Sequence, residues 1–219
     1  MFIRSLTMIA FLAFSTTQIL ADNSLKTENQ KKSYVLGYKV GENFKKQDEK
    51  IDLKSFQQGM NDGLNGKNSL ILKDKSEEIL SLFAKRSQEV QMSKLKEASN
   101  AFLKENAKKK NVKKRKSGLQ YIIEKEGNGP TPKASDTVMV KYAGKFTNGM
   151  TFDQSSQPVE LELSKVIKGW QEGIPLMKVG SKFKFFVPYS LGYGEFGVPR
   201  KIPPYSTLIF DVELVGIKK

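Results

Sequence analysis

The sequence predicts an α+β chain: a helical N-terminal region with a long connecting helix, then a curved antiparallel β-sheet wrapped on one short helix. Three observations carry this reading. Apolar residues recur at every fourth position in the first part of the chain, at every second position after Leu119, and a lysine-rich run separates the two regimes. With 219 residues, 38% of them hydrophobic, there is room for one large or two modest domains with a true core.

Taken in order, residues 1–21 have the layout of a secretory signal peptide. Arg4 precedes an apolar run from Leu6 to Phe14, polar residues follow to Gln18, and Ile19-Leu20-Ala21 leads to a cleavage point after Ala21. A membrane span needs about 20 apolar residues and this run has roughly half of that, so an uncleaved anchor is the lesser alternative. Residues 22–72 are expected to form a helical dimerisation domain. Leu36, Val40 and Phe44 keep a helical period, and a second helix starts at Asp52 as N-cap with Leu53, Phe56, Met60 and Leu64 on one face. Gly59 and Gly63 lie beside that stripe; each costs about 1 kcal/mol relative to alanine in a helix, which points to another backbone packing closely. The segment from about Ser33 to Ser69 falls below about 40 residues and has neither cysteine nor histidine, so it cannot rely on disulfides or metals. Phe56, Met60 and Leu64 are therefore expected to meet an identical helix in a homodimer, the alternative being packing against Leu36, Val40 and Phe44 of the same chain.

Residues 73–110 read as a connecting helix roughly 55 Å long, capped by Asp74 with Glu77 reaching back. Between Ala84 and Lys94 only Val90 and Met92 are strongly apolar, as in a solvated spacer. Residues 111–117 continue the lysine-rich run as a basic linker, solvated or in contact with an anionic surface. In residues 118–219 the period is two: Val138, Val140 and Tyr142, then Phe183, Phe185 and Val187, then Leu208, Phe210, Val212 and Leu214. Asn148-Gly149 marks a tight hairpin. Ile167, Trp170 and Ile174 place one short helix between Lys165 and Met177.

The chain contains no cysteine and no histidine, which removes serine–histidine and cysteine–histidine nucleophiles, imidazole metal sites and thiolates. No metal and no cofactor are expected. The net charge of +14 fits solubility or an anionic surface, and export argues against nucleic acid.

Val140-Lys-Tyr142-Ala-Gly144, Asn148-Gly149-Met-Thr-Phe152-Asp153, Val166-Ile167-Lys-Gly169-Trp170-Gln-Glu-Gly173, Gly192-Tyr193-Gly194 and Ile202-Pro203-Pro204-Tyr-Ser-Thr207-Leu208-Ile-Phe210-Asp211-Val-Glu-Leu214 resemble successive signatures of the FKBP class of peptidyl-prolyl cis/trans isomerases. The preceding residues are similar to the dimerising helical extension of the macrophage infectivity potentiator (Mip) subgroup. The resemblance implies an FKBP-like sheet and a cleft in which Tyr142, Phe152, Asp153 and Tyr193 are catalytic and Val166, Ile167, Trp170, Ile202 and Phe210 bind substrate. It also implies that the Ile167 N–H and the Tyr193 hydroxyl hold substrate carbonyls, while Asp153 faces the twisting one; a purely structural carboxylate is the alternative for Asp153. Proline-containing polypeptides and the macrolide inhibitors of the class are the implied partners, in the periplasm, outer membrane or cell surface of a bacterium. A chaperone or virulence-associated binding protein with incidental turnover, and a surface adhesin using the linker, are the competing readings.

The chemistry suits a chain without the usual catalytic side chains. The barrier to rotating an X-Pro amide is about 18–20 kcal/mol, and resonance that separates charge sustains it. Moving that amide from water into an apolar aromatic slot disfavours its planar form relative to the twisted one. Two departures from the family pattern stand out. Gln154-Ser155-Ser156-Gln157 follows Asp153 without a basic residue, so Asp153 is expected to lack an ion-pair partner. The flap has Val198 where histidine is common, with Arg200 and Lys201 beside it.

Overall fold

The computed structural model describes residues 25–218; the signal peptide expected at residues 1–21 lies outside them. The chain divides into two units, Met1–Ile51 and Asp52–Lys219.

In the first unit, helix α1 spans Glu28–Lys46. It begins earlier than the apolar period indicates, because Thr27 and Gln30 form a capping box. The Thr27 hydroxyl accepts from the Gln30 N–H at 3.1 Å and the Gln30 side chain accepts from the Thr27 N–H at 2.9 Å. Tyr34, Val35, Leu36, Tyr38 and Val40 remain exposed along α1.

In the second unit, α2 spans Leu53–Leu64 and is capped as expected, with Asp52 accepting from the Ser55 N–H at 2.8 Å. Helix α3 spans Lys73–Asn106, 34 residues or about 51 Å. Its start corrects the sequence reading: Leu72 is the N-cap, with no side-chain cap. Asp74 lies inside the first turn, where a carboxylate favours the helix dipole, and Glu77 faces Lys73 at 3.9 Å instead of reaching back. The end is also earlier than expected. Buried Gln120 donates to the Leu103 carbonyl at 2.8 Å and accepts from Asn106 at 3.0 Å, so a distant residue caps the helix.

The sheet has six antiparallel strands in the order β1-β2-β5-β6-β3-β4, with β1 Lys113–Lys114, β2 Gln120–Lys125, β3 Thr137–Phe146, β4 Thr151–Glu162, β5 Lys182–Val187 and β6 Leu208–Lys218. Lys113 and Lys114 thus correct the linker reading. Their side chains are solvated, but their backbone pairs with Tyr121 and Gln120 as an edge strand. The β3–β4 turn is the expected hairpin, with Gly149 at φ +87° and Phe146 N–H donating to the Met150 carbonyl at 2.9 Å. The inward residues of the three alternating strands are buried apart from half-buried Tyr142, and they pack on the short helix α4, Lys168–Gly173. A Cβ on Gly173 would lie 2.7 Å from the buried Phe185 ring, and one on Gly169 would lie 2.5 Å from Val187. Glycine at both positions lets α4 sit close enough to the sheet to bury Trp170.

Phe186 is out of phase with the inward set yet buried. Phe102 of α3 covers it, with ring centroids 6.2 Å apart. A buried hydroxyl pair, Ser99 with Thr207 at 2.6 Å, and Lys96 over the Tyr205 ring fasten the same helix to the segment entering β6. The last turns of α3 are therefore part of the sheet domain, while its earlier turns are largely solvated, as expected of a spacer.

Candidate active site

The site is built on the face of the sheet that carries α4. Trp170 projects from α4 and is 4% exposed. Tyr142 from β3 meets it edge-on at 5.3 Å and Phe210 from β6 meets it edge-on at 5.1 Å. Phe152 from β4 stands edge-on to Phe210 at 5.7 Å, and Phe146, which sequence reasoning did not single out, backs Phe152 at 5.0 Å. Edge-to-face packing of this kind adds about 0.5–1.5 kcal/mol per pair beyond burial and fixes the ring orientations. Gly144 permits it: a Cβ there would lie 2.7 Å from the Phe152 ring and 2.9 Å from the Phe210 ring. The indole N–H of Trp170 has no acceptor among the described residues.

Val166 and Ile167 precede α4. The Gln171 side chain donates to the Val166 carbonyl at 2.8 Å, and the Trp170 and Gln171 N–H groups bond the Ile167 carbonyl. Ile167 is thereby held as the N-cap of α4. Among the described residues its own N–H donates in no backbone hydrogen bond, which leaves a donor beside Trp170 at the start of α4.

Asp153 accepts from the Tyr142 hydroxyl at 3.0 Å. Burial, and then that hydrogen bond to the carboxylate, raise the Tyr142 phenol above its ordinary value. Burial followed by the charge of Asp153 does the same to Tyr193, whose ring is 39% exposed at the mouth. Both phenols stay protonated donors through the neutral range and beyond. The expectation that Asp153 lacks an ionic partner is corrected: Lys201 Nζ lies 3.9 Å from the same Asp153 oxygen. The partner comes from the flap and not from the residues after Asp153, because the chain turns back on itself there. Val198 and Ile202 exchange backbone hydrogen bonds of 2.8 Å, and buried Ile202 anchors the turn in the core as a wall residue.

The structure thus brings Tyr142, Phe152, Asp153, Val166, Ile167, Trp170, Tyr193, Ile202 and Phe210 together in one domain around α4. Phe56, Met60 and Leu64 lie elsewhere, on α2, and all three are exposed there, Leu64 at 81%. What sequence reasoning missed, the parts played by Phe146 and Gln171 and the pairing of Lys201, acts by supporting neighbours, as does Gly144 of the first signature. Among the described residues no cluster of histidine, cysteine or carboxylates suits a metal ion, and no helix is long and apolar enough to cross a membrane.

Comparison with known proteins gives two family matches. Residues 129–215 match the model for FKBP-type peptidyl-prolyl cis-trans isomerase, and residues 29–123 match the domain amino terminal to that isomerase. The chain is 40% identical over 209 residues to the peptidyl-prolyl cis-trans isomerase Mip of Coxiella burnetii, covering 91% of each chain. It is 38% identical over 219 residues to the outer membrane protein MIP of Legionella longbeachae, covering 95% of this chain and 94% of that one. The crystal structure of FkpA from Escherichia coli is similar at TM-score 0.60 and 35% identity, over 89% of this chain and 99% of that one.

Proposed function

The chain belongs to the FKBP-type peptidyl-prolyl cis-trans isomerases, and from that premise we propose that the slot over Trp170 is where X-Pro bonds of exported proteins are turned. The convergence of Tyr142, Trp170, Phe210 and Phe152 on one apolar floor carries this reading. A prolyl ring enters the slot and its amide leaves water, which weakens the charge-separated planar form against the twisted one. The free Ile167 N–H and the Tyr193 hydroxyl hold substrate carbonyls on either side, and Asp153, oriented by Tyr142, faces the carbonyl that rotates. Every protein group keeps its protons throughout. Macrolides of the class occupy the same slot. The chain works outside the cytoplasm, in the periplasm, outer membrane or cell surface, and as a homodimer through Phe56, Met60 and Leu64. The lysines of residues 108–116, exposed around β1, are available to an anionic surface.

A proline-switch assay on a short peptide and on a slow-refolding protein tests the reading. Rate enhancement on both, lost in Trp170→Ala and reduced about fivefold in Tyr193→Phe for one lost hydrogen bond, supports it. No enhancement by the folded wild type overturns it.

A second reading has its own observation. Phe196 is 83% exposed on the loop between Tyr193 and the flap, and Met150 is 59% exposed on the β3–β4 turn. These apolar side chains at the rim suit a chaperone that grips unfolded segments beyond the proline. Suppressed aggregation without rate enhancement would favour it, and Phe196→Ser would abolish that suppression.

A further inference from the structure

The flap is a short hairpin whose tip is basic. Gly197 has φ +66° and a Cβ there would run into the Ile202 carbonyl, while Arg200 has φ +63° at the turn. Paired Val198 and Ile202 form its stem, and Pro203-Pro204 follow. The lysine after Arg200 is thus carried on a defined support and reaches Asp153 at 3.9 Å, with 55% of its own side chain and 44% of that of Asp153 still exposed. Glu195, the acid of the same loop, sits near enough to Tyr205 that, after burial, its charge helps raise that phenol.

We infer that Lys201 is a specificity-determining residue that makes the enzyme favour an acidic residue immediately before the proline. The inference rests on the reading of the slot as the isomerase site. There Asp153 faces the rotating carbonyl, which belongs to the residue before the proline, so that residue's side chain leaves the slot beside Asp153. A carboxylate on it meets the half-exposed ammonium of Lys201, with Arg200 next to it. A lysine on it meets the same ammonium and is repelled. Asp153 already neutralises part of the charge and water screens the rest, so the preference is modest, about two- to fivefold. It is also sensitive to salt, because the screening length falls to about 4 Å near 0.5 M.

The test compares kcat/KM for peptides of one sequence carrying Glu, Gln, Leu or Lys before the proline, with the full-length mature chain. For the wild type, Glu should exceed Gln by about two- to fivefold at low salt and the ratio should approach one at about 0.5 M salt. Lys201→Gln should bring the ratio near one at every salt concentration, while Lys201→Arg should preserve it. Lys125→Gln removes the same charge from β2 and should leave the ratio unchanged. A wild-type ratio of one alongside normal turnover of the Leu-Pro peptide overturns the specificity and leaves the isomerase reading standing. A preference that survives Lys201→Gln assigns it to another group and also overturns the inference. Absence of turnover on the Leu-Pro peptide overturns the isomerase reading and this inference with it.

Discussion

At the scale of single residues, the proposed site consists of rings and backbone groups more than of titrating ones. Tyr142→Ala, Phe152→Ala and Trp170→Ala should each lose most peptide activity. Truncations of this size can also cost about 3–5 kcal/mol of stability, so denaturant unfolding must accompany the kinetics. If folded variants of all three kept full activity, the slot would be misassigned. With no histidine in the chain, no side chain titrates from its ordinary value between pH 5 and 8. Burial and the Asp153 carboxylate raise both Tyr142 and Tyr193. A raised phenol remains the neutral donor to higher pH than a free one, which titrates near about 10. Isomerisation should therefore be flat from about pH 6 to 9 and decline only above the ordinary tyrosine range. A limb centred near neutrality in a pH–rate profile would contradict this.

At the scale of elements, α4 and α3 are held by different means. Helix α4 is only six residues long and stays in place by close approach. Gly173→Ala would push a methyl into the fully buried Phe185 ring and should destabilise the domain by about 1–3 kcal/mol, read as a lowered denaturant midpoint. A midpoint equal to wild type would mean that the ring can yield. Helix α3 is docked by polar groups. Gln120→Leu would take from the buried Asn106 amide its acceptor and leave the Leu103 carbonyl with only its bond from the Ala107 N–H, and should cost about 1–3 kcal/mol. Amide exchange should then quicken in the last turns of α3 before it does in β3 or β6. Uniform acceleration would show that the cap is not local.

At the scale of the whole molecule, the exposed apolar stripe of α2 is the surface on which the proposed dimer rests. Leu53, Met60 and Leu64 are exposed along α2, Phe56 less so, and among the described residues nothing lies within 4 Å of a Cβ added at Gly59 or Gly63. A second copy related by two-fold symmetry would fill that space. Light scattering at micromolar concentration should give a dimer for the mature chain and a monomer for Met60→Glu, with peptide turnover retained by the variant. A monomeric wild type would refute the dimer. The two pockets should then matter only for clients long enough to reach both, so refolding catalysis should fall in the variant more than peptide turnover.

The local and ordered features were legible in the amino-acid sequence. Asp52 capping α2, the glycine turn at Gly149, the inward alternation of β3, β5 and β6, and the family signatures all depend on neighbours a few residues apart or on motifs read in line. Where the chain offered two local solutions, local reading chose less well. Asp74 resembles a cap, yet α3 begins before it, and Thr27 with Gln30 starts α1 well ahead of the apolar period that begins at Leu36. The remainder belonged to tertiary structure, because it joins positions that only the folded chain makes adjacent. Ser99 meets Thr207 across a separation of 108 residues. Gln120 caps a helix to which it does not belong, β1 forms only because β2 offers it an edge, and Asp153 finds its cation on the flap. A helical period or a cap acts within one or two turns, whereas an ion pair or a buried hydroxyl pair exists only after the loop between its members has closed.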